Sequence, residues 1–107
     1  MSAFLLLMSV HFLADFVLQS DWMAQGKSKS NLPLAMHVFI YAFCFFGYGW
    51  QFATITFWCH FAQDWITSRI NSRLWAAKKV HWFFVGIGAD QLLHTLQLVL
   101  TYQWVTK

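Results

Sequence analysis

A chain of 107 residues has room for one domain, yet 59% of it is apolar, 21% aromatic and only 10% charged, where soluble domains carry roughly a quarter charged residues. Water is a poor solvent for such a surface, so the composition argues against an ordinary soluble domain and for an integral membrane protein. The net charge of +3 comes from basic residues gathered in two short segments rather than in a stripe, which argues against a nucleic-acid partner.

The first apolar run, about 3–20, lacks a basic leader and a small-residue cleavage pattern and carries His11 and Asp15, so it is expected to persist as a span rather than to be removed as a signal peptide. A polar connection rich in Ser, Gly, Lys and Asn follows, in which Asp21 reads as a solvated helix end. Pro33 then stands where the first turn of a helix tolerates it, opening a second span at about 33–50. The next connection, around Gly47 to Gln51, is very short and uncharged, so the second span and a third at about 51–69 form a tight hairpin. Residues Asn71 to His81 mix Leu74, Trp75 and Val80 with Arg73, Lys78 and Lys79, as a short interfacial amphipathic helix would. A fourth span is expected at about 82–104.

Runs of this length must satisfy their own backbone in lipid, so the predicted fold is all-α: a polytopic bundle of four transmembrane helices in two tandem hairpins, one integral membrane domain over 1–107. Lys27 and Lys29 in the first connection, and Arg69, Arg73, Lys78 and Lys79 in or beside the third, put these two connections in the cytoplasm and both termini on the non-cytoplasmic side. Cys44 and Cys59 show no ligand or disulfide spacing and read as small buried hydrophobes.

Three His/Asp pairs share one spacing: His11 with Asp15, His60 with Asp64, and Asp90 with His94. Each is i to i+4, on one helical face. The first two lie within a short internal repeat, His-Phe-Leu-Ala-Asp against His-Phe-Ala-Gln-Asp. The order reverses in the fourth helix, which runs the other way, so Asp is nearer the cytoplasm and His deeper in all three. His37 opens the second helix at a similar depth. Gln19 is expected to continue the first stripe by another i+4 step, and Gln91 stands beside Asp90; both are candidates to orient the site. Gly86 and Gly88 would let another helix approach. His81, flanked by lysines and Trp82, is assigned to the interface.

Carboxylates at such depth are costly, and a divalent cation is one way to hold them among neutral imidazoles. Imidazole with carboxylate and no thiolate suits Zn first, then Mn or Fe, and this many ligands can hold two ions. The metal set is therefore His11, Asp15, His37, His60, Asp64, Asp90 and His94, with His37, Asp64 and Asp90 as candidate catalytic groups. The alternative for the same pairs is a set of interhelical hydrogen bonds that fixes packing.

At these residues the chain resembles the family named domain of unknown function 3307, small bacterial and phage membrane proteins. The matching pattern is His11, Asp15, Phe16, Leu18 and Gln19, then Asp21, Trp22 and Lys27, then His37, then His60 and Asp64, and finally Asp90, Gln91 and His94. Thr67 and Ser68 depart from it, a lysine being expected near Arg69. The resemblance implies a small bacterial or phage membrane protein and, by likeness to membrane-bound proteins of that kind, a metal-dependent hydrolase. A two-metal site activates a water and stabilises both attacking and leaving oxygens, so the leading reading is hydrolysis of a phosphate or similar ester in a lipid-linked substrate at the bacterial inner membrane. The competing readings are a proton or ion conductor and a non-catalytic, oligomeric or host-interacting membrane module.

Overall fold

The computed structural model describes residues 2–107, and its described residues form helices and turns with no strand. Helix α1 (Ser2–Phe12) runs directly into a π-helical turn, Leu13–Val17. The Leu18 N–H donates to the Leu13 carbonyl at 2.9 Å, the i to i+5 bond that defines such a widened turn. The chain then breaks, and Ser20 caps a short helix α2 (Asp21–Gly26) by accepting from the Met23 N–H at 3.3 Å. Helix α3 (Asn31–Cys44) leads through a 3-10 turn at Phe46–Tyr48 and Gly49, whose φ of 108° favours glycine, into α4 (Trp50–Ala76). Helix α5 (Val80–Val105) completes the chain.

Helix α1 and its π-turn pack on α3 and on α5, and α4 packs on the same two. The four long helices therefore stand in a ring in which every neighbour is antiparallel, and α1 and α4, which carry the repeat, are diagonally opposed. One half of the interior is mostly apolar: Leu7, Ala14, Tyr41, Phe45, Phe52 and Leu98 close it, with Tyr48, Tyr102 and Val105 against them, and Gln97 donating to the Thr56 and Thr101 hydroxyls as a buried polar group among them. That half contains the start of α1 and the end of α5. The other half holds the His/Asp pairs.

Several expected boundaries move. The span expected at 3–20 ends as a helix at Val17, and that at 33–50 is helical over 14 residues, about 21 Å. The interfacial helix before the fourth span is instead the continuation of α4 to Ala76, because Asn71 to Ala76 contain no glycine or proline to stop it. The expected third span, 51–69, thereby becomes a 27-residue helix. A turn with Lys78 at φ 59° and the Lys79 N–H on the Leu74 carbonyl closes α4, the bond pattern of a helix C-terminus. Among the described residues one helix, Val80–Val105, is long and apolar enough to cross a membrane; Ala3–Val17 and Asn31–Cys44 are apolar but shorter. Helix α4 has the length, yet its mean hydropathy is lowered by residues such as His60 and Asp64 that it turns inward. Cys44 and Cys59 are free thiols and only half-buried, on helix faces that turn partly outward rather than in the core.

Candidate metal centre

The stripe Phe52, Thr56, His60 and Asp64 lies on the inward face of α4, one residue per turn, so the helix delivers an imidazole and a carboxylate to the middle of the bundle. Helix α3 presents His37 and Tyr41 in the same way. Helix α5 adds Asp90 and His94. At the end of α1 Asp15 sits within the π-turn, whose extra residue per turn shifts the carboxylate relative to His11. His11 Nε2 is 4.0 Å from Asp15 Oδ2, whereas the pairs on regular helix are closer, 3.4 Å for His60–Asp64 and 3.1 Å for His94–Asp90.

The result is a buried cluster spanning all four long helices. Asp15, His37, His60 and Asp64 each offer one ligand atom, all within 4.8 Å of one another, and Asp15, Asp90 and His94 form a second such group. In the first, His37 Nε2 is 3.0 Å from Asp15 Oδ1 and 3.3 Å from Asp64 Oδ2. His60 Nε2 is 3.5 and 3.4 Å from the same two oxygens. The two Nε2 atoms are 3.2 Å apart. A tetrahedral ion with bonds of about 2.0–2.1 Å sets its ligand atoms about 3.3–3.4 Å from one another. Five edges of the first group fall around that length.

Protonation alone fits this group less well. If both Nε2 atoms carry hydrogen, the two hydrogens meet across the 3.2 Å contact; if one lacks it, that lone pair faces two carboxylate oxygens. A cation at the point where the four atoms converge removes both conflicts. The His60 ring is held between the Tyr41 ring, stacked at 3.8 Å, and the His94 ring at 4.1 Å. Its Nδ1 is buried without a hydrogen-bond partner.

In the second group His94 Nδ1 contacts Gln63 Oε1 at 2.6 Å and, as that oxygen can only accept, donates to it. His94 Nε2 then faces Asp64 Oδ1 at 3.2 Å and Asp90 Oδ1 at 3.1 Å. Asp64 thus turns one oxygen to each group. Thr67 Oγ1 lies 2.5 Å from Asp90 Oδ1 and fixes that carboxylate from α4.

His11 is brought beside the cluster but stands outside both ligand groups. Its Nδ1 is 2.6 Å from the Tyr41 hydroxyl and its Nε2 2.7 Å from Gln91 Oε1. Gln91 Nε2 donates to Asp15 Oδ2 and to Asp90 Oδ2, each at 3.3 Å. Gln91 therefore links both groups. Gln19 does not continue the α1 stripe, since the helix has ended by Leu18, but the break carries it into the same cavity. Asp21 is exposed in the first turn of α2 and His81 exposed in the first turn of α5, and neither joins the cluster.

Lys27, Tyr41, Gln63 and Thr67 escaped the sequence reading as site residues. Lys27 Nζ lies 3.3 Å from Asp64 Oδ2. The i to i+4 signal that marked the His/Asp pairs also relates His37 to Tyr41 and Gln63 to Thr67, but without a titratable partner it did not stand out. A cavity of about 540 Å³ opens onto the carboxylates, lined by Asp15, Asp64, Asp90, Gln19, Gln91 and Lys27 among others. The imidazoles lie behind it, toward the apolar half.

The chain belongs to the family described as protein of unknown function (DUF3307), whose model matches residues 3–107. No curated protein and no solved structure matches it.

Proposed function

We propose that the protein is a membrane-embedded His/Asp metalloprotein that hydrolyses a phosphate or similar ester in a lipid-linked substrate. The observation that carries the metal is the spacing of Asp15, His37, His60 and Asp64, whose converging atoms stand at 3.0 to 3.5 Å as the ligands of one small divalent ion would. Charge points the same way. Three buried carboxylates and the one ammonium of Lys27 leave two negative charges if the imidazoles are neutral, and one divalent ion balances them.

Asp15, which belongs to both ligand groups, and Asp64, with an oxygen toward each, are placed to share a second ion, whose added charge a bound phosphate ester would balance. Such ions would supply Lewis acidity and a water acidic enough to attack near neutral pH. The protein's own groups would do the rest: Asp90, held by Thr67 and Gln91, takes the proton of an attacking water, and Lys27 faces the developing negative charge. With His37 committed as a ligand, Asp90 returns the proton it took from the water to the leaving group. Against a transmembrane proton path, the buried polar groups of the other half, Thr56, Gln97 and Thr101, are not titratable and stand among Leu7, Phe45, Phe52 and Leu98. Zn is the ion this donor set favours, with Mn or Fe the alternatives.

Elemental mass spectrometry of the protein purified in detergent tests this reading, beside Asp15→Ala and Asp64→Ala variants with native helical content by circular dichroism. Near-stoichiometric Zn, Mn or Fe, lost in both variants, is expected. Absence of metal that persists after reconstitution with each ion would remove the hydrolase reading and leave the cluster as a packing device.

A further inference from the structure

Resting on the metal reading above, we propose that the cavity binds an amphiphilic phosphate ester, with Lys27 and Ser68 holding the phosphate against the carboxylate floor and Trp75, Phe83 and Phe84 lying along the hydrocarbon chain. The cavity has two unlike walls. Lys27 reaches its polar side from the C-terminus of α2, where the Lys27 N–H closes the helix on the Met23 carbonyl. An ammonium has three donors, and Asp64 Oδ2, at 3.3 Å, occupies one of them. Ser68 lies one turn beyond Asp64 on α4, on the same face.

Two polar atoms lining this space are withdrawn from water with nothing to bond: Ser68 Oγ and Gln19 Oε1. Buried polar groups are nearly always hydrogen-bonded, so these two atoms offer a donor and an acceptor to whatever enters the cavity. A hydroxyl that can donate, an ammonium, and an amide that can present either end together suit a phosphate whose oxygens include both acceptors and a protonated or esterified one.

The opposite wall is aromatic. Trp75 at the end of α4 packs on Phe83 at the start of α5, ring centroids 5.0 Å apart, and Phe84 follows. Trp75 is 58% and Phe84 61% exposed, so this wall continues outward from the cavity instead of closing it. A free sugar phosphate or inorganic phosphate has no use for that surface. An ester whose carbon chain begins one bond from the phosphate fits both walls at once.

The test is calorimetric binding of octyl phosphate and of inorganic phosphate to the full chain in lipid nanodiscs, with metal content measured on the same samples. Octyl phosphate should bind roughly tenfold or more tighter than inorganic phosphate. Lys27→Met should weaken both by roughly tenfold, as loss of a charge-assisted hydrogen bond does, and Lys27→Arg should restore them. Phe84→Ala, at an exposed position the fold does not depend on, should weaken octyl phosphate alone. Equal affinity for the two probes, or unchanged affinity in Lys27→Met with metal intact, overturns the proposal. Loss of metal from the unmodified protein would strike the metal reading instead, and is read out separately.

Discussion

The direction of one hydrogen-bond chain decides what His11 does. Two carboxylate oxygens, Asp15 Oδ2 and Asp90 Oδ2, face the Gln91 amide, and they accept only from its NH2 end. Gln91 Oε1 must therefore point back to His11 Nε2, which carries the hydrogen, and His11 Nδ1 is left to accept from the Tyr41 hydroxyl. In that tautomer neither ring nitrogen is free for an ion, so His11 acts through Gln91 and positions the carboxylates. His11→Gln is expected to retain metal, whereas His60→Gln loses it, by elemental analysis of matched preparations. Tyr41→Phe removes the buried donor at the head of the chain and should cost about 1 kcal/mol of stability in a detergent melt while leaving metal stoichiometry unchanged. Metal loss in His11→Gln equal to that in His60→Gln would mean that His11 is itself a ligand.

Between elements, the two glycines before Asp90 separate into different roles. A Cβ on Gly86 would run into Asn71 Oδ1 of α4, whereas one on Gly88 would meet nothing within 4 Å. Gly86→Ala should therefore force the Asn71 amide aside and destabilise the α4–α5 pair by up to about 1 kcal/mol, the low end of overpacking costs, and Asn71→Ala in the same chain should recover most of it. Gly88→Ala is expected to be neutral or to stabilise by up to about 1 kcal/mol, since alanine is the better helix former. Thermal unfolding of the three variants checks both. The sequence showed both glycines with equal force because spacing reports a face, not what lies across it. For the same reason the i to i+4 pairs told which His and Asp share a face, while the π-turn at Leu13–Val17, set by a local choice between two carbonyls, left no mark that periodicity could read. The extension of α4 to Ala76 was hidden differently: its charged last turns resemble an interfacial segment in composition, and only the absence of a breaker distinguishes the two. Lys27 is the plainest case. A lysine counted toward topology by its charge became a neighbour of Asp64 only when α2 folded back over the bundle.

On the scale of the whole molecule, the outer surface argues for lipid around it. Phe39, Phe43, Trp58, Leu92 and Leu100 are exposed on three different helices, and only 17% of the most apolar window of α5 is buried inside the protein. An apolar belt of this extent marks a surface that lipid or another chain covers, and lipid is the occupant the proposed function requires. Two of the four long helices fall short of about 20 residues, so a membrane around this bundle would have to thin locally or meet polar residues at its edges. The apolar half carries the start of α1 and the end of α5, and the cavity opens at the opposite end, near Lys27, Ser28 and Ser72. Charge then predicts orientation: Lys27, Lys29, Arg69, Arg73, Lys78 and Lys79 all belong to the cavity end, which the positive-inside tendency places in the cytoplasm. With Cys44 and Cys59 replaced by alanine, Lys107→Cys should react with a membrane-impermeant maleimide in intact cells, and Ser72→Cys only after permeabilisation. Both residues are exposed, so failure to label reports sidedness and not burial. The reverse pattern would turn the cavity outward, and labelling of both in intact cells, with release of the protein by alkaline carbonate, would end the membrane-embedded reading. An inward cavity would also confine the substrate to esters presented at the cytoplasmic face.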